Sequence, residues 1–234
     1  METIHKFFEK FIFLKERKIQ TKFYKNLIMH TDLLSRIDRL EKENKEMREE
    51  IRFLKACLNP SPYLQVNFLI PVGQNWTVET PTKCTLSYSD KSFAVIASDV
   101  ANVDQKNHTP NFLFDGKKEN EGGSKWATSS GQTSSFIQVD FGHQIVANVL
   151  TITARDTQNM EQAPGSFEIF GIDSSGNIQS FKKFYNVEWT ANEKKLFSFC
   201  NTKPYVSYKI MFYSTKRDDK CYGIAELNLG AFTI

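Results

Sequence analysis

The sequence predicts a mainly β protein: an antiparallel β-sandwich with an N-terminal α-helical coiled coil. Three observations lead there. Beyond residue 63, short alternations of apolar and polar residues recur between turn residues, with no helical pattern between them. Such texture marks an antiparallel sandwich. From Leu33 to Leu58, apolar positions are spaced alternately by four and three, the heptad of a coiled coil. Between these regions stands Asn59-Pro60-Ser61-Pro62, whose prolines remove amide donors and restrict the residues before them. The expected organisation is therefore an amphipathic helix of unassigned role over 1–30, a coiled coil over 31–58, a linker over 59–63 and a sandwich over 64–234.

The bulk numbers agree with this division. Apolar residues make up 40% of the 234, and 20 are Phe, enough for a sizeable core. The net charge of +3 is too small to imply a nucleic-acid partner. The first 58 residues carry 14 Lys/Arg against 10 Asp/Glu, and the remaining residues 16 against 17, so the mild excess belongs to a solvated helix face. No uncharged apolar run reaches 18 residues, so no transmembrane segment is expected. Glu9 and Lys10 break the first apolar run and no small-residue cleavage site follows. An intracellular, cytoplasmic chain with reduced thiols is the expectation. Sequons at Asn75 and Asn107 are then chance matches.

In chain order, residues 2–30 mix Phe, Ile and Leu with Lys and Glu, and no Gly or Pro precedes residue 60. A helix follows. It either packs on a partner chain or the sandwich, or lies on a membrane surface. The seam then runs Leu33, Ile37, Leu40, Asn44, Met47, Ile51, Leu54 and Leu58. Ile at a with Leu at d favours a parallel pair, and Asn44 at an a position selects the in-register homodimer. Arg36–Glu41, Glu43–Arg48 and Glu50–Lys55 would pair g to e with opposite signs. Exposed pairs of this kind contribute only about 0.2–1 kcal/mol each, so they set partner and orientation. The alternative is a single amphipathic helix packed on its own domain, which usually carries a wider apolar stripe.

Past the linker, Val66–Ile70, Cys84–Tyr88 and Phe93–Ala97 read as early strands, and 98–109 as a loop. An apolar plug, Phe112-Leu113-Phe114, ends in the turn Asp115-Gly116. A polar loop leads to Trp126. In Ser135–Phe141, Ile137, Val139 and Phe141 share one face and Gln138 and Asp140 the other. Strands are further expected over 145–154, 166–172, 181–189, 195–199, 206–213 and 224–230, with a hairpin turn at Asp173–Asn177. No catalytic constellation is present: the four histidines are scattered, and no nucleophile elbow, zinc motif or phosphate loop occurs.

The order Leu113-Phe114-Asp115-Gly116, Trp126, Phe136-Ile137-Gln138-Val139-Asp140-Phe141-Gly142, closed by Ala225-Glu226-Leu227-Asn228-Leu229-Gly230, resembles the discoidin family, the coagulation factor 5/8 type C domain. The resemblance implies a galactose-binding-like jelly roll over 64–234, with Trp126 packed inward. Arg39-Leu40-Glu41-Lys42-Glu43-Asn44 is similar to the heptad segment before intracellular protist-type members. Secreted members tie their ends with a disulfide, and Cys84 and Cys221 lie roughly where one is sought.

The resemblance also implies a non-enzymatic binding module. Its ligand loops correspond to 104–109, 155–162 and 216–222. Sugar recognition asks for bidentate polar groups and an aromatic platform, and His108, Arg155, Asn159, Arg217 and Tyr222 are the candidates. A structural Ca²⁺ beside the Asp-Gly turn would draw on Asp115, Ser124 and Glu226. Asp115 as a turn cap and Glu226 in a buried ion pair are the other readings of those carboxylates. The expected partner is a carbohydrate or glycoconjugate. The alternative is a scaffold whose sandwich binds a protein.

Overall fold

The structure, a computed structural model, describes residues 36–42, 44, 45, 48, 51, 65–101, 108–117, 125–217 and 220–232. The chain divides into two units, Met1–Phe53 and Leu54–Ile234. In the first, the described residues are helical, and Ile37, Leu40, Asn44 and Ile51 are exposed. Residues 1–30 and the seam positions Leu33, Met47 and Leu54 lie outside the described residues. Among the described residues no helix is long and apolar enough to cross a membrane.

The second unit is the expected antiparallel sandwich. Its strands are β1 (Val66–Phe68), β2 (Thr77–Thr80), β3 (Lys83–Tyr88), β4 (Lys91–Ala97), β5 (Trp126–Ala127), β6 (Ser135–Ile145) and β7 (Val149–Thr153). There follow β8 (Pro164–Ile172), β9 (Ile178–Phe184), β10 (Lys194–Ser198), β11 (Tyr205–Thr215), β12 (Gly223–Ile224) and β13 (Glu226–Phe232). One sheet has the order β1-β13-β7-β10 and the other β2-β3-β4-β6-β11-β8-β9, with β12 and β5 as a separate pair.

Alternation decides which faces meet. Ile137, Val139 and Phe141 of β6 and Tyr208, Ile210 and Phe212 of β11 are fully buried, as are Leu150 and Ile152 of β7 and Leu229 of β13. Packed sheets interleave such rows across a layer about 10 Å thick. Trp126 is wholly buried in the core, its ring 5.7 Å from that of Phe212. The plug is a 3-10 helix, Pro110–Phe114; its Phe114 stacks on Trp76 at 5.2 Å, closing one flank of the core.

Two turns show local chemistry at work. Asp173 Oδ1 accepts the Ser175 and Asn177 amides at 2.8 and 2.9 Å, forming the β8–β9 hairpin. The β3–β4 hairpin, which the alternation alone leaves unpaired, turns on Ser89 and Asp90 with φ of 48° and 62°. Left-handed conformation at both central residues matches the twist of the flanking strands.

The structure corrects several expectations. The 145–154 segment is interrupted: β6 runs to Ile145, and Asn148 uses its side chain to accept the Phe232 amide at 2.9 Å. The 181–189 strand lies earlier, as β9, and Trp189 sits in the following loop with Nε1 donating to the Pro164 carbonyl at 3.0 Å. Apart from these corrections, Cys84 and Cys221 are both free thiols. The Cys84 thiol meets Asn111 Oδ1 at 3.6 Å and the Cys221 thiol meets the Thr128 carbonyl at 3.0 Å. Burial pushes the Cys84 thiol up to about 11, which keeps it inert.

Candidate functional site

Where β7 and β11 end and β8 begins, the loops enclose a cleft of about 480 Å³. Its lining includes His108, Lys125, Arg155, Asn159, Gln162 and Arg217. Four of the five candidate ligand residues therefore meet in one place, although the first and last lie 109 positions apart in the sequence.

Arg155 is the best-anchored of them. It follows β7, is only 5% exposed, and donates through Nη1 to Gln162 Oε1. Its carbonyl accepts the Asn192 amide at 2.9 Å. Gln162 ends the 3-10 turn Met160–Gln162. Behind this pair stands Gly223 of β12. A Cβ there would lie 2.6 Å from Gln162 Oε1 and 3.0 Å from Arg155 Cδ, so glycine is what allows the guanidinium and amide to close up. Gln162 and Lys125 were not among the sequence candidates. Gln162 ends one of the ligand loops but carries no motif, and only the fold turns its amide toward Arg155.

Asn159 Nδ2 donates to Asp156 Oδ1 at 3.1 Å. Its Oδ1 faces Arg217 Nη1 at 3.5 Å, and the Arg217 amide donates to Thr215 Oγ1 at 3.2 Å. The opposite wall is set by Asp99, which accepts the Ser129 amide at 2.9 Å, while the Asp99 carbonyl takes Trp126 Nε1 at 3.1 Å.

Tyr222 is corrected. Its ring is buried, stacked on Phe212 with centroids 6.2 Å apart, and its hydroxyl donates to the Thr133 carbonyl at 3.4 Å. It is no surface platform. Its main chain instead holds the cleft floor, exchanging bonds with Thr128: Tyr222 N to Thr128 Oγ1 at 2.9 Å and Thr128 N to the Tyr222 carbonyl at 2.8 Å.

A second feature lies by the Asp-Gly turn. Asp115 Oδ1 accepts the Lys117 amide at 2.8 Å, as a turn cap does, and Gly116 takes φ of 75°. Glu226, at the start of β13, lies against Asp115. Burial first, then the Asp115 carboxyl, push its own carboxyl up to about 8. Its Oε1 is buried with no hydrogen-bond partner among the described residues. Among the described residues no cluster of three or more His, Cys, Asp or Glu gathers to hold a metal ion, so these two carboxyl groups would supply only part of the oxygen set that calcium takes. Ser124 lies outside the described residues, and no described ion pair involves Glu226.

Comparison with known proteins places this geometry in context. A family model of the F5/8 type C domain matches residues 94–227. Among solved structures, the Clostridium perfringens module CpGH89CBM32-5, in complex with GalNAc-β-1,3-galactose, is similar at 19% identity and a TM-score of 0.50. The match covers 59% of this chain and 95% of that one. The F5/8 type C domain of a Bacteroides fragilis protein is similar at 14% identity and a TM-score of 0.52, over 68% of this chain and 99% of that one. No curated protein matches the chain.

Proposed function

Because this chain belongs to the F5/8 type C domain family, we propose that it is a non-enzymatic carbohydrate-binding module whose cleft takes a sugar through His108, Arg155, Asn159 and Arg217. The observation that supports this reading is their convergence on one cleft, with the buried Arg155 braced by Gln162 and Gly223. A sugar offers adjacent hydroxyls and ring oxygens, and a rigid guanidinium fork matches paired acceptors better than a flexible ammonium does. Loops carried on a rigid sandwich are suited to this work.

Two further parts belong to the proposal. Asp115 and Glu226 would hold a calcium ion, which would fix the Asp-Gly turn against β13 by neutralising their charge. The heptads would pair two chains, burying the exposed Ile37, Leu40 and Ile51 and matching Asn44 to its counterpart. Two modest sites on one rod gain avidity toward a multivalent glycan.

A glycan array probed with the full chain, with and without calcium, tests the reading. Dose-dependent binding, lost in Arg155→Ala or His108→Ala variants that retain their circular dichroism, is the expected result. An array with no hit would overturn it, and recovery of a specific protein partner would then favour the scaffold alternative.

A further inference from the structure

Resting on the saccharide-binding reading, we infer that the cleft is built for a sugar that carries an anion, a uronate carboxylate or a sulfate ester, in preference to a neutral hexose. The charge of the lining is the first ground. Among its described residues, Lys125, Arg155 and Arg217 are cationic, His108 is titratable, and none is Asp or Glu. Two described carboxylates belong to the walls: Asp99 accepts the Ser129 amide and Asp156 accepts Asn159 Nδ2. The part of the chain beyond residue 58 carries 16 Lys/Arg against 17 Asp/Glu. Among the described residues, the lining thus concentrates cationic side chains within a nearly neutral domain.

The second ground is what the lining lacks. None of its described residues is Phe, Tyr or Trp, and the one such candidate, Tyr222, is committed to the core. A neutral hexose gains much of its affinity by laying an apolar ring face on an aromatic side chain. Without that surface, affinity must come from polar contacts. Hydrogen bonds to an ionised acceptor are about twice as strong as neutral ones.

The third ground is orientation. The Arg155 side chain is 5% exposed, with Nη1 tied to Gln162 Oε1, and Arg217 Nη1 is directed to Asn159 Oδ1 at 3.5 Å. Both forks hold their direction before a ligand arrives, and planar forks recognise carboxylate and sulfate oxygens in pairs. Lys125, just before β5, adds a point charge.

The test is calorimetric titration of the full chain with galactose, galacturonate and galactose 6-sulfate, at about 50 and 300 mM salt. Galacturonate or the sulfate ester should bind at least tenfold more tightly than galactose, and several-fold more weakly at the higher salt. The two anionic arms tell carboxylate from sulfate. Arg217→Gln and Lys125→Gln, both at partly exposed positions, should each reduce the preference severalfold. Equal affinity for all three sugars, or a preference unaltered in both variants, overturns the inference and leaves the sugar-binding function standing. An array and titrations without any sugar binding overturn that function as well. Capture of phosphatidylserine vesicles in place of any acidic sugar also overturns it.

Discussion

The Tyr208 hydroxyl accepts the Ala147 amide at 2.8 Å, joining the middle of the larger sheet to the turn that leads into the smaller one. The same oxygen donates to the Ile145 carbonyl at 2.9 Å and accepts Asn201 Nδ2 at 3.0 Å. A single phenol thus satisfies polar groups from two connections within the core.

Tyr208→Phe should lower stability by about 2 kcal/mol, since it leaves buried donors unmatched. Urea unfolding measures this. Burial also pushes the Tyr208 phenol up to about 12. A group whose folded value is raised contributes stability that is complete below its unfolded value, near 10, and is lost as pH climbs toward 12. Stability should therefore fall between pH 10 and 12. The Phe variant should lose less over that window, though not nothing, because Tyr213 and Tyr222 are shifted the same way.

Calcium should raise the thermal midpoint of the full chain in scanning fluorimetry, and a chelator should reverse the gain. Glu226→Gln should abolish the response. In calcium-free buffer the same substitution should cost less than about 1 kcal/mol, because it replaces a carboxyl already held protonated near neutral pH. An identical midpoint with and without calcium removes the ion from the proposal.

Gly223→Ala should weaken glycan binding by more than tenfold. Its Cβ would displace Gln162 and with it the guanidinium of Arg155. Gln162→Ala should weaken binding by a smaller factor with little loss of stability. Tyr222→Phe, in contrast, should leave sugar affinity within about twofold, because its hydroxyl reaches only the Thr133 carbonyl. Titration of the three variants against the best array glycan separates these outcomes.

Asn44→Val should change the oligomeric state in sedimentation equilibrium, since a buried amide at this heptad position selects the two-stranded form. Ile37→Asp should give monomers. A monomeric parent chain removes the dimer.

The larger strands were legible because period-two alternation states which side chains are inside. Ile137, Val139 and Phe141 sit in the core as their spacing requires. What escaped depends on partners distant in the chain. Strand β5 has two residues and exists by pairing with β12, with Trp126 opposite Ile224. Strand β2 is exposed throughout, so its residues show no buried face. The cleft was partly legible from loop position, which named His108, Arg155, Asn159 and Arg217. Tyr222 was misread because its loop position gives no sign that the run 221–225 is buried throughout. Gln162 could not be singled out, because its role comes from the closeness that Gly223 allows.

Strand β9 ends the seven-stranded sheet, so one of its sides offers unmatched amides and carbonyls. Lys182 lies over the ring of Phe184 at 5.0 Å, and Lys183 over those of Tyr213 and Tyr185 at 4.2 and 5.4 Å. Adjacent ammonium groups on such a rim repel another chain arriving to extend the sheet. Charge on an edge strand thus works against sheet-to-sheet addition between separate sandwiches.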